Sequence, residues 1–179
     1  IPATERQALI DLYNSTTGDG WVRNNGWKTA GTFSAPGTEC TWYGVSCDAG
    51  GNRVIGLNLN ENNPVGPLPT SLNTLTALET LTANTGHLRG ALPSFSGLTA
   101  LREVSIQFQE FSSTIPDLSG LSALQTLYLN NNGLTGALPA VSGLSALRVF
   151  DVSHNRLSGV IPSLAGLPTL QVFVVHDNQ

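Results

Sequence analysis

LQTLYLNNNGLTGALP, residues 124–139, is the stretch that decides the fold, and it returns as LRVFDVSHNRLSGVIP over residues 147–162. Its opening leucine recurs as Leu78, Leu101, Leu124, Leu147 and Leu170, successive members standing 23 residues apart. A constant period of this size means that one supersecondary unit is stacked on copies of itself. Within the unit, Leu127 and Leu129 alternate with Thr126, Tyr128 and Asn130. A short strand with that alternation turns two apolar side chains to one face and polar ones to the other. One face is core and the other is open to contacts.

Written as a template, the phrase is L-x-x-L-x-L-x-x-N-x-L-x-G-x-(I/L)-P, and it is identified as a leucine-rich repeat. The expected fold is an α/β repeat solenoid. It is a right-handed superhelix with a parallel concave β-sheet, a convex side mostly of 3-10 turns and loops, and a helical N-terminal cap. Five full or nearly full repeats start at about Val54 and a sixth is cut off at Gln179, which assigns residues 54–179 to the repeats and 1–53 to the cap. The inward strand pairs are Leu57/Leu59, Leu81/Ala83, Val104/Ile106, Leu127/Leu129, Phe150/Val152 and Phe173/Val175. Pro69, Pro93, Pro116, Pro139 and Pro162 set an extended or turn backbone on the far side of each coil. Phe95, Leu118, Val141 and Leu164 form a further apolar column between that turn and the strand.

After each strand the template places an Asn, whose amide satisfies backbone groups left unpaired at the bend. The column reads Asn62, Gly86, Gln109, Asn132, Asn155 and Asn178. Gly86 has no side chain to offer and Gln109 is one methylene longer. Pro64 and Ser113 replace the turn leucine and the turn glycine. The N-terminal half of the solenoid is therefore expected to be less regular than the C-terminal half.

Residues 1–53 lack the period. Thr4, Glu5, Ala8, Leu9, Leu12 and Tyr13 predict an N-cap followed by an amphipathic helix with Glu in its first turn. A solenoid exposes apolar edges at its ends, so a terminal cap is physically required. Cys40 and Cys47 fall inside it, and a disulfide between them is expected, because two cysteines alone do not make a structural zinc site. The alternative is a pair of buried thiols in a reducing compartment. Trp21, Trp27, Trp42 and Tyr43 are read as cap core ahead of a sugar-stacking platform, since large aromatics dominate small cores.

The cap phrase CTWYGVSC (residues 40–47), followed by NRVIGL (52–57), resembles the N-terminal cap of plant-type extracellular leucine-rich-repeat proteins. The L-x-G-x-(I/L)-P signature at Leu134–Pro139 and Leu157–Pro162 is similar to the same subclass. That subclass includes receptor-kinase and co-receptor ectodomains and polygalacturonase-inhibiting proteins. The phrase LYNSTTGDGW (12–21) is more similar to plant-type repeats of microbial surface proteins, and no second cysteine pair follows the repeats. A microbial member is therefore the first expectation and a plant protein the alternative. The resemblance implies a secreted or cell-surface location, with no membrane insertion of this segment.

With 12 acidic and 8 basic residues, and Lys28 as the single lysine, the chain has no basic stripe for phosphates, so nucleic acid is not an expected partner. Function is sought on the outward sheet face, where stacking the repeats makes three columns. The first is Asn58, Thr82, Ser105, Tyr128, Asp151, Val174; the second Asn60, Asn84, Gln107, Asn130, Ser153, His176; the third Glu61, Thr85, Phe108, Asn131, His154, Asp177. The candidate binding residues are Phe108, Tyr128, Asn130, Asp151, His154 and His176, since aromatics beside polar groups suit a protein or glycan contact. A metal or acid–base role for His154, His176, Asp151 and Asp177 is not expected, on the ground that strand ends stand wide apart for tetrahedral ligation and no nucleophile has an orienting base. His87 is read as a solvated turn residue. No cofactor is expected.

The leading function is a non-catalytic recognition module that binds a protein or peptide, with a glycan as the alternative ligand. Two further readings stand beside it. One is an inhibitor of a secreted cell-wall glycosidase, and the other is a structural or adhesive segment of a larger surface protein.

Overall fold

The computed structural model describes residues 1–179. The chain forms one α-helix, α1 (Ala3–Ser15), three 3-10 turns (Gly18–Gly20, Glu39–Thr41 and Thr70–Thr74) and fourteen short strands. In the N-terminal segment these are β1 (Lys28–Thr29), β2 (Thr32–Phe33) and β3 (Val45–Cys47). The strands at the start of successive coils are β4 (Val54–Asn58), β6 (Thr80–Thr82), β8 (Glu103–Ser105), β10 (Thr126–Tyr128), β12 (Val149–Asp151) and β14 (Val172–Val174). Between them lie the back-side strands β5 (Val65–Gly66), β7 (His87–Gly90), β9 (Glu110–Phe111), β11 (Thr135–Gly136) and β13 (Arg156–Leu157).

One sheet of order β14-β12-β10-β8-β6-β4-β3 runs the length of the molecule, parallel throughout except for the antiparallel β3–β4 pair. Its register repeats the sequence period: Leu81 faces Val104, Val104 faces Leu127, and Leu127 faces Phe150. Every predicted inward pair from Leu57/Leu59 to Phe150/Val152 is fully buried, as are Phe95, Leu118 and Val141. In the last coil Leu164, Phe173 and Val175 are only partly buried, and Phe173 stacks on Phe150 at 5.2 Å between ring centroids.

The side-chain ladder at the bends is intact where the sequence suggests a gap. Asn132, Asn155 and Asn178 accept the N–H of Phe111, Leu134 and Leu157, one coil back, and donate to the carbonyls of Ile106, Leu129 and Val152. Gln109 does the same work: its Oε1 accepts Leu88 N–H and its Nε2 donates to Ala83 O, both at 2.8 Å. The extra methylene carries the amide over Gly86, where a Cβ would stand 3.2 Å from Gln109 Oε1. Gly86 and Gln109 are thus a matched pair, and Asn62 ties the first bend to Arg23 of the N-terminal segment through Arg23 N–H and C=O.

The irregularity falls on the back side instead. Strands β5, β7 and β9 form one short sheet and β11 and β13 another; between them the ladder is reduced to an isolated Thr114–Thr135 bridge and the Gly133 N–H to Phe111 O bond. Gly66, Gly90, Gly136 and Gly159 all turn with positive φ, while Ser113 at the same place in the third coil does not. A side chain disfavours that turn, so the pairing breaks there and not at Gly86 or Gln109.

The N-terminal segment packs over the first coil. Pro2, not Thr4, precedes α1: it has φ −57°, its carbonyl accepts Arg6 N–H, and no side chain caps the helix. Tyr13, Trp21, Trp27, Trp42 and Phe33 form one aromatic cluster with centroid spacings of 4.8 to 6.3 Å. All three indole N–H groups have acceptors, in Thr16 O, Tyr43 O and Thr38 Oγ1. These rings are core. Gly18 lies so close under Tyr13 that a Cβ would sit 2.3 Å from its ring, and Gly44 has φ +82° against Asn58 O, so neither position admits another residue. Burial first, and then the hydrogen bond and charge of Asp19, push the Tyr13 phenol up to about 12. Cys40 and Cys47 are disulfide-bonded.

Two buried carboxylates fasten this segment. Glu5 accepts Arg53 Nε–H and, at 2.8 Å, Val54 N–H, which locks α1 to the start of β4. Glu39 is 1% exposed and accepts Arg6 Nη1–H and Gly37 N–H, while the Arg6 guanidinium lies 5.1 Å over Trp42. Burial alone would raise the Glu39 carboxyl, but its own backbone N–H, the Arg6 guanidinium and Gly37 N–H hold it below its ordinary 4.5. A depressed folded-state value stabilises above the unfolded value, and this stabilisation is lost as pH falls through the folded one. The stability difference between the parent and Glu39→Gln, measured by urea unfolding, should therefore hold at pH 6 and shrink as pH falls below about 4.5 towards 3. A difference constant over that range contradicts the assignment.

Candidate functional site

The sheet's outward face is set by the bends that follow its strands. Glu61, Thr85, Phe108, Asn131, His154 and Asp177, the third column, all adopt left-handed backbone with φ between 53° and 63°. For a non-glycine residue this conformation costs roughly 1–2 kcal/mol, and a β-branched Thr is among the least suited to it. Coil-to-coil bonds hold the strain in place. Thr85, Phe108, Asn131 and His154 each donate their N–H to the carbonyl of the second-column residue one coil on, at 3.0 to 3.2 Å. Gly86, Gln109, Asn132 and Asn155 then donate to the next third-column carbonyl. These bonds fix the bends at Thr85, Phe108, Asn131 and His154, so their side chains project from a backbone held on both sides.

The second column carries its own ladder. Asn84 N–H donates to Asn60 Oδ1, and Asn84 Oδ1 accepts Gln107 N–H and Ser105 Oγ–H. The series stops at Gln107, whose Nε2 donates to Ser105 Oγ, and one coil on Asn130 is only 8% exposed with its Oδ1 buried without a partner. The donor that would continue the ladder, Ser153 N–H, is taken at 2.9 Å by Asp151 Oδ1, which also accepts Ser153 Oγ–H. Asn130 is therefore buried in the sheet with its Oδ1 unpaired, in contrast to the expected open contact.

The other five predicted residues lie at the surface. Tyr128 and Asp151 are half-buried register partners on adjacent strands. Phe108 is 54% exposed and shares a shallow groove with Glu61, Asn63, Thr85, Gly86 and His87. His154 and His176 meet edge-on, their ring centroids 5.0 Å apart. Asp177 Oδ2 sits between them, 3.2 Å from His154 Nδ1 and 2.9 Å from His176 Nδ1. Against the expected wide spacing, one donor atom from each of His154, His176 and Asp177 lies within 4.8 Å of the others, while Asp151 is engaged with Ser153 and is not part of this group. His87 is exposed but lies in β7, and its Nδ1 is 2.6 Å from Glu110 Oε1. No helix is long and apolar enough to cross a membrane.

The Leucine Rich Repeat family profile matches residues 123–143 and 146–167. The chain is 35% identical over 95 residues to the receptor protein kinase WSS1 of Oryza sativa subsp. japonica, an alignment covering 52% of this chain and 9% of that protein. The chain thus spans about a tenth of the length of that relative. Among solved structures it is similar to the BIR2 ectodomain of Arabidopsis thaliana, with a TM-score of 0.80 and 28% identity over 97% of this chain and 92% of that one. It is also similar to a chain of the BIR3–SERK2 complex of Arabidopsis thaliana, with a TM-score of 0.76 and 28% identity over 96% of this chain and 92% of that one.

Asp151→Ala should leave stability within about 0.5 kcal/mol of the parent, because the freed Ser153 N–H can pair with Asn130 Oδ1. Asn84→Ala, which orphans the two donors its Oδ1 accepts, should cost about 1–2 kcal/mol in urea unfolding. A larger loss in Asp151→Ala than in Asn84→Ala would contradict the ladder.

Proposed function

We propose that this plant-type leucine-rich-repeat protein is a non-catalytic recognition module, secreted or at the cell surface, which binds a protein or peptide on its concave face. The observation that carries the reading is the division of labour on that face. Backbone and amide bonds hold the bends, while the side chains of Phe108, Tyr128, Asp151, His154 and His176 contribute nothing to the core and vary from coil to coil. A rigid platform of this kind loses little entropy on binding, which favours affinity from a few anchors. Phe108 is a large apolar side chain held in a strained, exposed position, where it suits a contact better than a core. The disulfide Cys40–Cys47 fits an oxidising compartment. The likeness to a chain of a protein–protein complex supports a protein partner.

The test is selection of binders from displayed libraries of peptides and secreted proteins, followed by affinity measurement on a Phe108→Ala/Tyr128→Ala/His154→Ala variant whose melting curve matches the parent. Truncation of contact anchors costs about 1 kcal/mol or more each, so binders of the parent should lose at least about tenfold in affinity on the triple variant. Undiminished binding by the variant would reject the concave face as the recognition surface.

A further inference from the structure

We propose that His154, His176 and Asp177 form a binding site for a divalent transition-metal ion, Zn2+ foremost, on the rim of the concave face. Two imidazoles and one carboxylate are donors suited to zinc, copper, nickel and iron, and to neither calcium nor magnesium. Around a tetrahedral zinc ion, whose bonds to nitrogen and oxygen are about 2.0–2.2 Å long, neighbouring ligand atoms stand about 3.3–3.6 Å apart. Asp177 Oδ2 is already 2.9 Å from one imidazole Nδ1 and 3.2 Å from the other, and all three donor atoms lie within 4.8 Å. The 3.2 Å edge is therefore close to its bound length, the 2.9 Å hydrogen-bonded edge has to open by a few tenths of an ångström, and the third closes by rotation of exposed side chains.

The site is built, and is not a chance meeting of flexible surface groups. His154 and Asp177 occupy the left-handed bend of successive coils, with φ of 53° and 55°, which aims both side chains at the rim. His154 N–H donates to His176 O and Asn155 N–H donates to Asp177 O, while the Asn178 amide holds Val152 O and Val175 O. The backbones of all three ligand residues are thus tied to each other before an ion arrives, and preorganisation of this kind is what a metal site demands of its scaffold. Because the three side chains are half to two-thirds exposed, the remaining coordination positions stay open to water or to a donor from a partner. The competing account is a surface hydrogen-bonded trio without metal affinity. The pair His87 and Glu110 provides the contrast: a single imidazole beside a single carboxylate, with no third donor.

The inference goes beyond the recognition reading and does not depend on it, since metal binding is measured on the protein alone. The experiment is calorimetric titration of chelator-stripped protein with ZnCl2 at neutral pH, with Co2+ as a spectroscopic substitute. The expected result is one ion per chain, saturating below about 100 µM, and weakened at least about tenfold in His176→Ala and in Asp177→Asn. His87→Ala should bind like the parent, and visible Co2+ bands should appear with the parent and be lost in both site variants. Metal-free melting curves of the variants, whose side chains are exposed, establish that they are folded. No saturable binding below about 1 mM, or binding that survives both site substitutions, would overturn the proposal.

Discussion

The structure depends on a ladder of side-chain amides standing at the bends between strand and return. Burial of leucine between coils supplies most of the driving force, but it is non-directional and tolerates slippage. The amides are directional. Asn132, Asn155 and Asn178 each accept one N–H from the back side of the previous coil and donate to a carbonyl at the end of that coil's strand. Each therefore clamps three segments of chain that the period alone would only bring near. Without the clamp, a buried N–H and a buried C=O would be left unpaired at each step, at a cost of about 1–3 kcal/mol apiece. The clamp also makes the left-handed residue that precedes each ladder position tolerable, and that residue shapes the rim.

From this constraint follows the division between what folds the protein and what the protein presents. The ladder and the coil-to-coil backbone bonds hold the bends whatever side chain the third column carries, and so Glu61, Thr85, Phe108, Asn131, His154 and Asp177 share one backbone conformation although they are six different residues. A scaffold that is indifferent to its outward residues is well placed to evolve recognition. At the other end, Glu5 and Glu39 anchor the N-terminal segment by taking backbone and arginine donors into a closed aromatic core, so the first coil starts from a rigid wall.

Much of this was legible in the sequence, because a solenoid's contacts repeat at the interval of its residues. Leu78 to Leu170 announce the coil length, and Leu127 and Leu129 announce the strand's inward face. Gln109 was misleading, since residue-by-residue comparison with Asn hides the fact that the missing side chain at Gly86 and the longer one at Gln109 compensate each other in space. The approach of His176 to His154 and Asp177 was hidden for a related reason. The three belong to two columns one coil apart, and only the left-handed bend turns them together. Thr4 had the chemistry of a helix cap, yet Pro2, with its fixed φ, starts the helix earlier. Asn130 looked open by alternation, but the structure buries it, and Asp151 takes the Ser153 N–H that would have continued the ladder to its Oδ1.

Amide hydrogen exchange under native conditions tests the central claim most directly. The N–H groups of Leu88, Phe111 and Leu157 lie in short back-side strands and that of Leu134 immediately precedes one, and each finds its acceptor in the amide of Gln109, Asn132, Asn155 or Asn178. If the ladder holds the coils, these four should exchange as slowly as the amides of β8, β10 and β12 in the long sheet. Exchange at the rate of the exposed turns at Gly97, Gly120 and Gly143 would mean that the side-chain amides do not clamp the stack, and that the rim they support is not rigid.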